Sequence, residues 1–161
     1  MSTTHDELAG VVDLFGALRR AELTAALDEL AFKQGQDVDE SALRSTIEAA
    51  IDAYALVEYE PAAGDTDSEP LVAVGPTAFP TLPPNAEDLP HILDYDRRTV
   101  DRERLAEQVS HRLTTEAAAV VEADNQTRAA ELLDVSYDIE TWASVDAGEV
   151  RSVLDPVLPQ D

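Results

Sequence analysis

Two glutamates and a histidine recur at four-residue intervals in the second half of the chain, at Glu103, Glu107 and His111. Residues four apart lie on one face of a helix, so these side chains would line a single face. Carboxylate and imidazole groups together can hold a divalent metal ion, although a helical bundle must then supply matching ligands from its other helices. The chain has no Glu-x-x-His pair, so this spacing indicates a charged outer face and predicts no metal site.

The remaining reactive side chains do not form a catalytic pattern. His91, Asp94 and Asp96 are a second oxygen-rich group, but such groups arise by chance among 34 acidic residues. The sequence has no nucleophile-elbow motif, no phosphate-binding loop and no dinucleotide-binding glycine pattern. It also has no cysteine and only three dispersed histidines, so nucleophiles and general bases are scarce. We therefore predict a protein that is not an enzyme, with no catalytic residue and no cofactor.

Positively charged side chains that could contact nucleic acid are few. One cluster, of Arg97, Arg98, Arg102 and Arg104, is interleaved with acidic residues. Helical ion pairs such as Arg112–Glu116 further along therefore favour a solvated, salt-bridged face. The alternative is a patch for nucleic acid or an acidic partner. The candidate contacts in the whole chain are Arg19, Arg20, Lys33, Arg44, Arg97, Arg98, Arg102 and Arg104.

The charge balance of the chain indicates the solution in which the protein works and does not indicate an activity. Against 34 acidic residues stand 11 basic ones, for a net charge of -23. Charges at this density repel one another at low salt, whereas at 1 M salt the Debye length falls to about 3 Å. The composition resembles that of proteins from salt-accumulating halophilic archaea, which implies a cytoplasm rich in potassium. The first residues are not a signal peptide and no apolar run is long enough to span a membrane, so we predict a cytoplasmic protein without membrane contact.

Hydrophobic periodicity predicts the elements that would position these side chains. Apolar residues at helical spacing indicate three helices, the second closed by Gly35 and the third capped by Asp39 or Ser41. Two short strand-like segments follow, at 56–60 and 71–74, separated by a polar stretch typical of a hairpin tip. The fold class predicted is mainly α with a small β-hairpin, with an N-terminal domain and a C-terminal helical extension.

Three helices followed by a two-stranded hairpin is the order of elements in a winged helix-turn-helix, and the stretch from Leu8 to Val74 resembles that superfamily. The chain is also similar to uncharacterised haloarchaeal acidic proteins of its size. The winged-helix resemblance implies a third helix that lies in the major groove of DNA and a wing that touches the backbone. Lysine and arginine would then have to neutralise phosphates.

The charges near that third helix have the wrong sign for DNA. Residues 1–60 carry four basic and thirteen acidic side chains. The outward face of the helix would present Glu40, Arg44, Ser45, Glu48 and Asp52, and the hairpin tip would add Asp65, Asp67 and Glu69. We therefore predict a protein-interaction or scaffold domain with a protein partner, and keep a DNA-binding transcriptional regulator as the alternative.

The rest of the chain divides into a connector and more helices. We predict a winged-helix-like domain over 1–75, a proline-rich connector over 76–87 that Phe79 and Leu82 attach to the first domain, and a helical domain over 88–158. A long helix over 99–123 could serve as a homodimer seam, because its apolar stripe must be buried. Residues 129–142 resemble the helix-turn-helix of MerR-type regulators, but a helical hairpin with Trp142 in the core fits them better.

Overall fold

A computed structural model of the protein describes residues 4–35, 39–61, 70–83, 86–95 and 97–158. The predicted fold class, mainly α with a small β-hairpin, is confirmed. None of the helices within these ranges is long and apolar enough to cross a bilayer. The elements are α1 His5–Phe15, α2 Arg20–Lys33, α3 Glu40–Asp52, β1 Leu56–Tyr59, β2 Leu71–Val74, a short 3-10 turn Ala86–Asp88, α4 Leu89–Leu93, α5 Arg102–Ala123, α6 Gln126–Trp142 and α7 Gly148–Leu154.

Polar side chains mark where several helices begin. The Thr4 hydroxyl accepts the Glu7 N–H, and the Glu7 carboxylate accepts the Thr4 N–H, both at 3.1 Å. Asp39 caps α3 by accepting the Ser41 N–H at 3.1 Å. Of the two caps predicted for this helix, Asp39 or Ser41, the structure has the first. These bonds satisfy N–H groups that have no partner inside a first helical turn. Local sequence therefore decides where these helices start.

The chain forms two compact units, divided between Val100 and Asp101. The first unit has a hydrophobic core to which α1, α2, α3 and the hairpin all contribute. Among its fully buried large side chains are Leu8, Phe15, Leu18, Leu23, Ile47 and Leu56. Amphipathic helices of this length are stable mainly because they bury such a face.

The hairpin is tied to the helices by its second strand. β1 and β2 pair antiparallel, with Leu56 opposite Val74. Leu18, which lies between α1 and α2, pairs with Val72 through two backbone hydrogen bonds, and so extends the sheet by one residue. The acidic residues predicted at the hairpin tip, Asp65, Asp67 and Glu69, lie outside the described residues.

The proline-rich segment after the hairpin lies along α1, but not by the side chains predicted to hold it. Phe79 and Leu82 are exposed, at 79% and 48%, so that expectation was wrong. The backbone makes the contact instead: Asp6 accepts the Thr81 N–H on its carbonyl and the Phe79 N–H on its side chain. A Cβ at Gly10 would overlap the Thr81 carbonyl, so the segment can approach α1 only because Gly10 has no side chain.

The residues that follow this segment are part of the first unit as well. Leu89 is fully buried in the same core as α1, and Leu93 and Tyr95 pack against it. The rings of Phe15 and Tyr95 meet edge to face, with their centroids 5.9 Å apart. The second unit therefore begins at Asp101, whereas the sequence predicted a helical domain from residue 88.

The second unit is built from α5, α6 and α7. The apolar stripe of α5 is buried against these two partners within the unit. Its members are Leu105, Ala106, Val109, Leu113, Ala117 and Val120. The stripe that motivated the predicted homodimer seam is thus covered by the chain's own helices.

Neither a helix-turn-helix nor a helical hairpin forms at residues 129–142, where α6 runs without a break. Ala129, Leu132, Val135, Ser136 and Ile139 form one continuous buried face. A continuous stripe favours one helix, and the turn glycine of the MerR motif is replaced here by Asp134. Trp142 is half-buried, not a core residue, and the Arg102 guanidinium lies 5.3 Å from its ring centroid. Both interpretations of this segment were wrong.

Candidate interaction site between α2 and α3

A groove of about 690 Å³ lies along the surface between α2 and α3 in the first unit. Each helix contributes one face, with side chains at helical spacing. From α2 come Arg20, Ala21, Thr24, Ala25 and Asp28, and from α3 come Glu40, Leu43, Arg44, Ile47 and Glu48. We call this the α2–α3 groove.

The floor of the α2–α3 groove is apolar. Leu43 and Ile47 lie beneath it, at 7% and 1% exposure, and the two alanines of α2 add small side chains beside them. The Thr24 hydroxyl donates to the Arg20 carbonyl at 2.8 Å, so its hydrogen-bonding demand is met within α2. The floor therefore presents mainly apolar side chains.

The arginine at one end of the groove is bound to two carboxylates of the same unit. Arg20 donates from Nε to Glu48 at 3.0 Å and from Nη1 to Glu58 at 3.5 Å. Burial would lower the pKa of Arg20, but these hydrogen bonds and the charges of both glutamates raise it on balance. The guanidinium at this end is therefore already neutralised.

The other end of the groove also has two carboxylates for one arginine. Arg44 donates to Glu40 at 2.6 Å, one helical turn earlier, and both side chains are about two-thirds exposed, at 68% and 66%. Asp28 also lines this end and takes part in no ion pair among the described residues. Each end therefore holds two carboxylates for one guanidinium.

Arg97 and Arg98, predicted as possible nucleic-acid contacts, join segments of the first unit. Arg97 donates to the carbonyls of Asp13 and Leu14, both at 3.0 Å, at the C-terminal end of α1. Arg98 forms a two-pronged pair with Glu22, at 2.7 and 3.1 Å, and donates to the Ala17 carbonyl at 3.1 Å. A guanidinium that donates to the final carbonyls of a helix stabilises the helix end, and a bidentate arginine–carboxylate pair stabilises the contact between two segments.

The remaining candidates are dispersed. Arg102 and Arg104 lie at the start of α5 in the second unit, so the four arginines of the sequence cluster do not form one patch within either unit. Lys33 is exposed in the last turn of α2. Arg19 is half-buried at the start of that helix, where its N–H donates to Glu22 at 2.8 Å. The predicted pair Arg112–Glu116 is confirmed, at 3.0 Å.

The Glu22–Arg98 pair predicts a pH dependence of stability. Burial would raise the pKa of Glu22, but hydrogen bonds from Arg98 and from the Arg19 N–H lower it on balance. A carboxyl whose pKa is lower in the folded state stabilises at pH values above its unfolded pKa of about 4.3, and this contribution disappears as pH falls through the folded pKa. We expect Glu22→Gln to cost about 1–3 kcal/mol at pH 7 and progressively less below about pH 4.

Urea unfolding of both chains at a series of pH values measures this difference. Glu107→Gln, at an exposed position of α5, is the control and should change stability by less than about 0.5 kcal/mol at pH 7. A cost of Glu22→Gln that is equal at pH 3 and pH 7 would contradict the assignment.

Two sets of candidate site residues were missed from the sequence. One is the carboxylates that neutralise the arginines, and the other is the pair of alanines in the groove floor. The sequence predicts no ion pair for Glu22, Glu48 or Glu58, because their partners lie far away along the chain. For Ala21 and Ala25, the four-residue spacing was a usable signal, since two small side chains one turn apart leave room for an approaching segment.

Among the described residues, neither pattern considered in the sequence forms a group that could hold a metal ion. Glu103, Glu107 and His111 are exposed on α5. Asp96 lies outside the described residues, and within those residues no group of three or more His, Asp and Glu side chains could hold a metal ion.

The geometry defines a mainly α-helical protein with a two-stranded hairpin and, in its first unit, a groove of mixed charge between two helices. The chain belongs to the family of unknown function DUF7109, whose model matches residues 6–159. No curated protein and no solved structure matches it significantly.

Proposed function

We propose that the protein is a non-enzymatic interaction domain of winged-helix type, which binds a partner protein through the α2–α3 groove in the cytoplasm of a halophilic archaeon. The observation that carries this proposal is the groove itself: it has an apolar floor, and its two arginines are occupied by carboxylates of the same unit. A surface of this kind favours burial of apolar side chains over contact with phosphate.

The order of elements supports the winged-helix assignment. Three helices precede an antiparallel hairpin, and α2 packs against α3 as two consecutive helices of such a domain would. The pairing of Leu18 with Val72 anchors the hairpin to the connection between α1 and α2. The acidic composition and the single lysine support the halophilic part of the proposal.

Charge argues against a nucleic-acid partner. A protein gains affinity for DNA by neutralising phosphates and releasing their counterions. The lining of the α2–α3 groove has three carboxylates and two guanidinium groups, and Glu58 adds a fourth carboxylate beside Arg20, so the surface is negative. High salt weakens the repulsion but removes the gain from counterion release to the same extent.

The alternative is a DNA-binding transcriptional regulator, which one observation favours. Arg44 is exposed on α3, the helix that would enter the major groove, and its pair with Glu40 is an exposed i,i+4 contact. Such pairs are worth only about 0.3–0.5 kcal/mol, so a phosphate could displace the glutamate.

Capture from a halophilic archaeal lysate at molar potassium chloride tests the two functions together. The immobilised chain should retain a protein whether or not the lysate has been treated with nuclease. Ala25→Arg, which places a long cation on the groove floor, should abolish retention, whereas Ala49→Arg on an exposed position of α3 outside the lining should preserve it. Retention of specific duplex DNA that is lost in Arg44→Glu would overturn the proposal and establish the alternative.

A further inference from the structure

The distribution of charge along the α2–α3 groove specifies the chemistry of its partner. Arg20 at one end faces Glu48 and Glu58, whereas Arg44 at the other end shares its surroundings with Glu40 and Asp28. One carboxylate is left over at each end, and the apolar floor lies between them. This arrangement matches a segment with a cation at each end of a short apolar stretch.

We infer that the α2–α3 groove binds a basic amphipathic helix of a partner protein, with an arginine or lysine at each end of its apolar stripe. The inference rests on the proposed function and names the partner's chemistry. Arg20 and Asp28 mark the two ends and are eight positions apart on α2, a rise of about 12 Å. The two cations of the partner helix should therefore be separated by about seven or eight residues, which places both on the same helical face.

The size of the groove and its floor suit a helix with small apolar side chains. Ala21 and Ala25 lie one turn apart on α2, so the backbone of a partner helix can approach α2 closely there if its own side chains at that place are small. Leu43 and Ile47 supply the apolar surface on the opposite side. A helix laid into an apolar groove is held by anchors at spacings of three, four and seven residues.

Neither a second copy of the chain nor a polyanion fits the same surface. With 34 acidic side chains against 11 basic ones, a second copy would bring mostly carboxylates to the two acidic ends of the groove. In the first unit, Arg97 and Arg98 are already engaged with the ends of α1 and α2. A nucleic acid would add phosphates to an end that already has a surplus carboxylate.

Binding of designed peptides to the full-length protein tests the inference directly. The probe is a fluorescein-labelled helix of about 16 residues of alanine, leucine and glutamine, with two arginines about seven residues apart on the edge of its apolar stripe. The comparison peptide has glutamates in place of both arginines. Fluorescence anisotropy is measured from dilute buffer to molar potassium chloride, and circular dichroism verifies that each protein variant is folded.

We expect the arginine peptide to bind at least about tenfold more tightly than the glutamate peptide. Asp28→Lys should weaken binding of the arginine peptide by about tenfold, and Glu107→Lys, the same charge change on exposed α5, by less than about twofold. Ala25→Arg and Ala49→Arg form a second matched pair, in which only the first should abolish binding. Equal binding of both peptides, or equal effects within either pair, would overturn the inference.

Two other results separate this inference from the proposed function. If the wild-type chain captures a protein from the lysate but ignores the arginine peptide, the partner's chemistry is wrong and the proposed function stands. If the chain forms dimers in light scattering that Ala25→Arg disrupts, the occupant is a second copy and the inference fails.

Discussion

Replacement of Gly16 by alanine is expected to destabilise the protein by about 3 kcal/mol or more. Gly16 ends α1 with φ +80° and ψ -51°, a backbone conformation that L-residues with a side chain rarely adopt. A Cβ at this position would also overlap the carbonyl oxygen of Arg98. Since the Arg98 N–H donates to the Phe15 carbonyl at 2.8 Å, the neighbouring backbone cannot withdraw without loss of that bond.

Gly35 provides a matched control for this substitution. It also has a positive φ, +69°, but a Cβ added there would meet no atom within 4 Å in the part of the chain that the structure describes, its chain neighbours aside. Gly35→Ala should therefore cost only the backbone strain, about 1–2 kcal/mol. Urea unfolding of the three chains gives both free energies, and equal costs at the two glycines would show that residues 97–98 do not brace the end of α1.

Potassium chloride is expected to stabilise the protein strongly. A chain with a net charge of -23 repels itself in dilute buffer, and salt screens that repulsion. We expect the Tm to rise by on the order of 10 °C between dilute buffer and molar potassium chloride, the shift that about 3 kcal/mol produces in a chain of this size. Scanning calorimetry over a salt series measures the change.

Fewer negative charges should reduce this salt effect. Glu103, Glu107 and Glu122 are exposed on α5, and their replacement by lysine together should raise the Tm in dilute buffer and flatten the dependence on salt. Replacement by glutamine at the same positions should have a smaller effect in the same direction. A Tm that is unchanged by potassium chloride in the wild-type chain would remove the physical basis for the halophilic assignment.

The order and type of the elements in the first half could be predicted because the signals are local. Apolar spacing, the cap at Asp39 and the glycine after α2 each act within a few residues, and the structure has helices and strands at these places. The same kind of signal failed at residues 129–142, where a partial motif suggested a turn. Packing of one continuous face against α5 and α7 decided for a single helix.

The sequence by itself determined composition, net charge and the helical and strand segments, because these depend on residue identity and short-range spacing. Only the tertiary structure decided which arginines are available to a partner. Arg20 meets carboxylates 28 and 38 residues away, and Arg98 meets Glu22 across 76 residues. Such pairs depend on how elements pack in three dimensions, and no local pattern reports that packing. The groove between α2 and α3 is likewise a product of packing, since its two walls are separate segments of the chain.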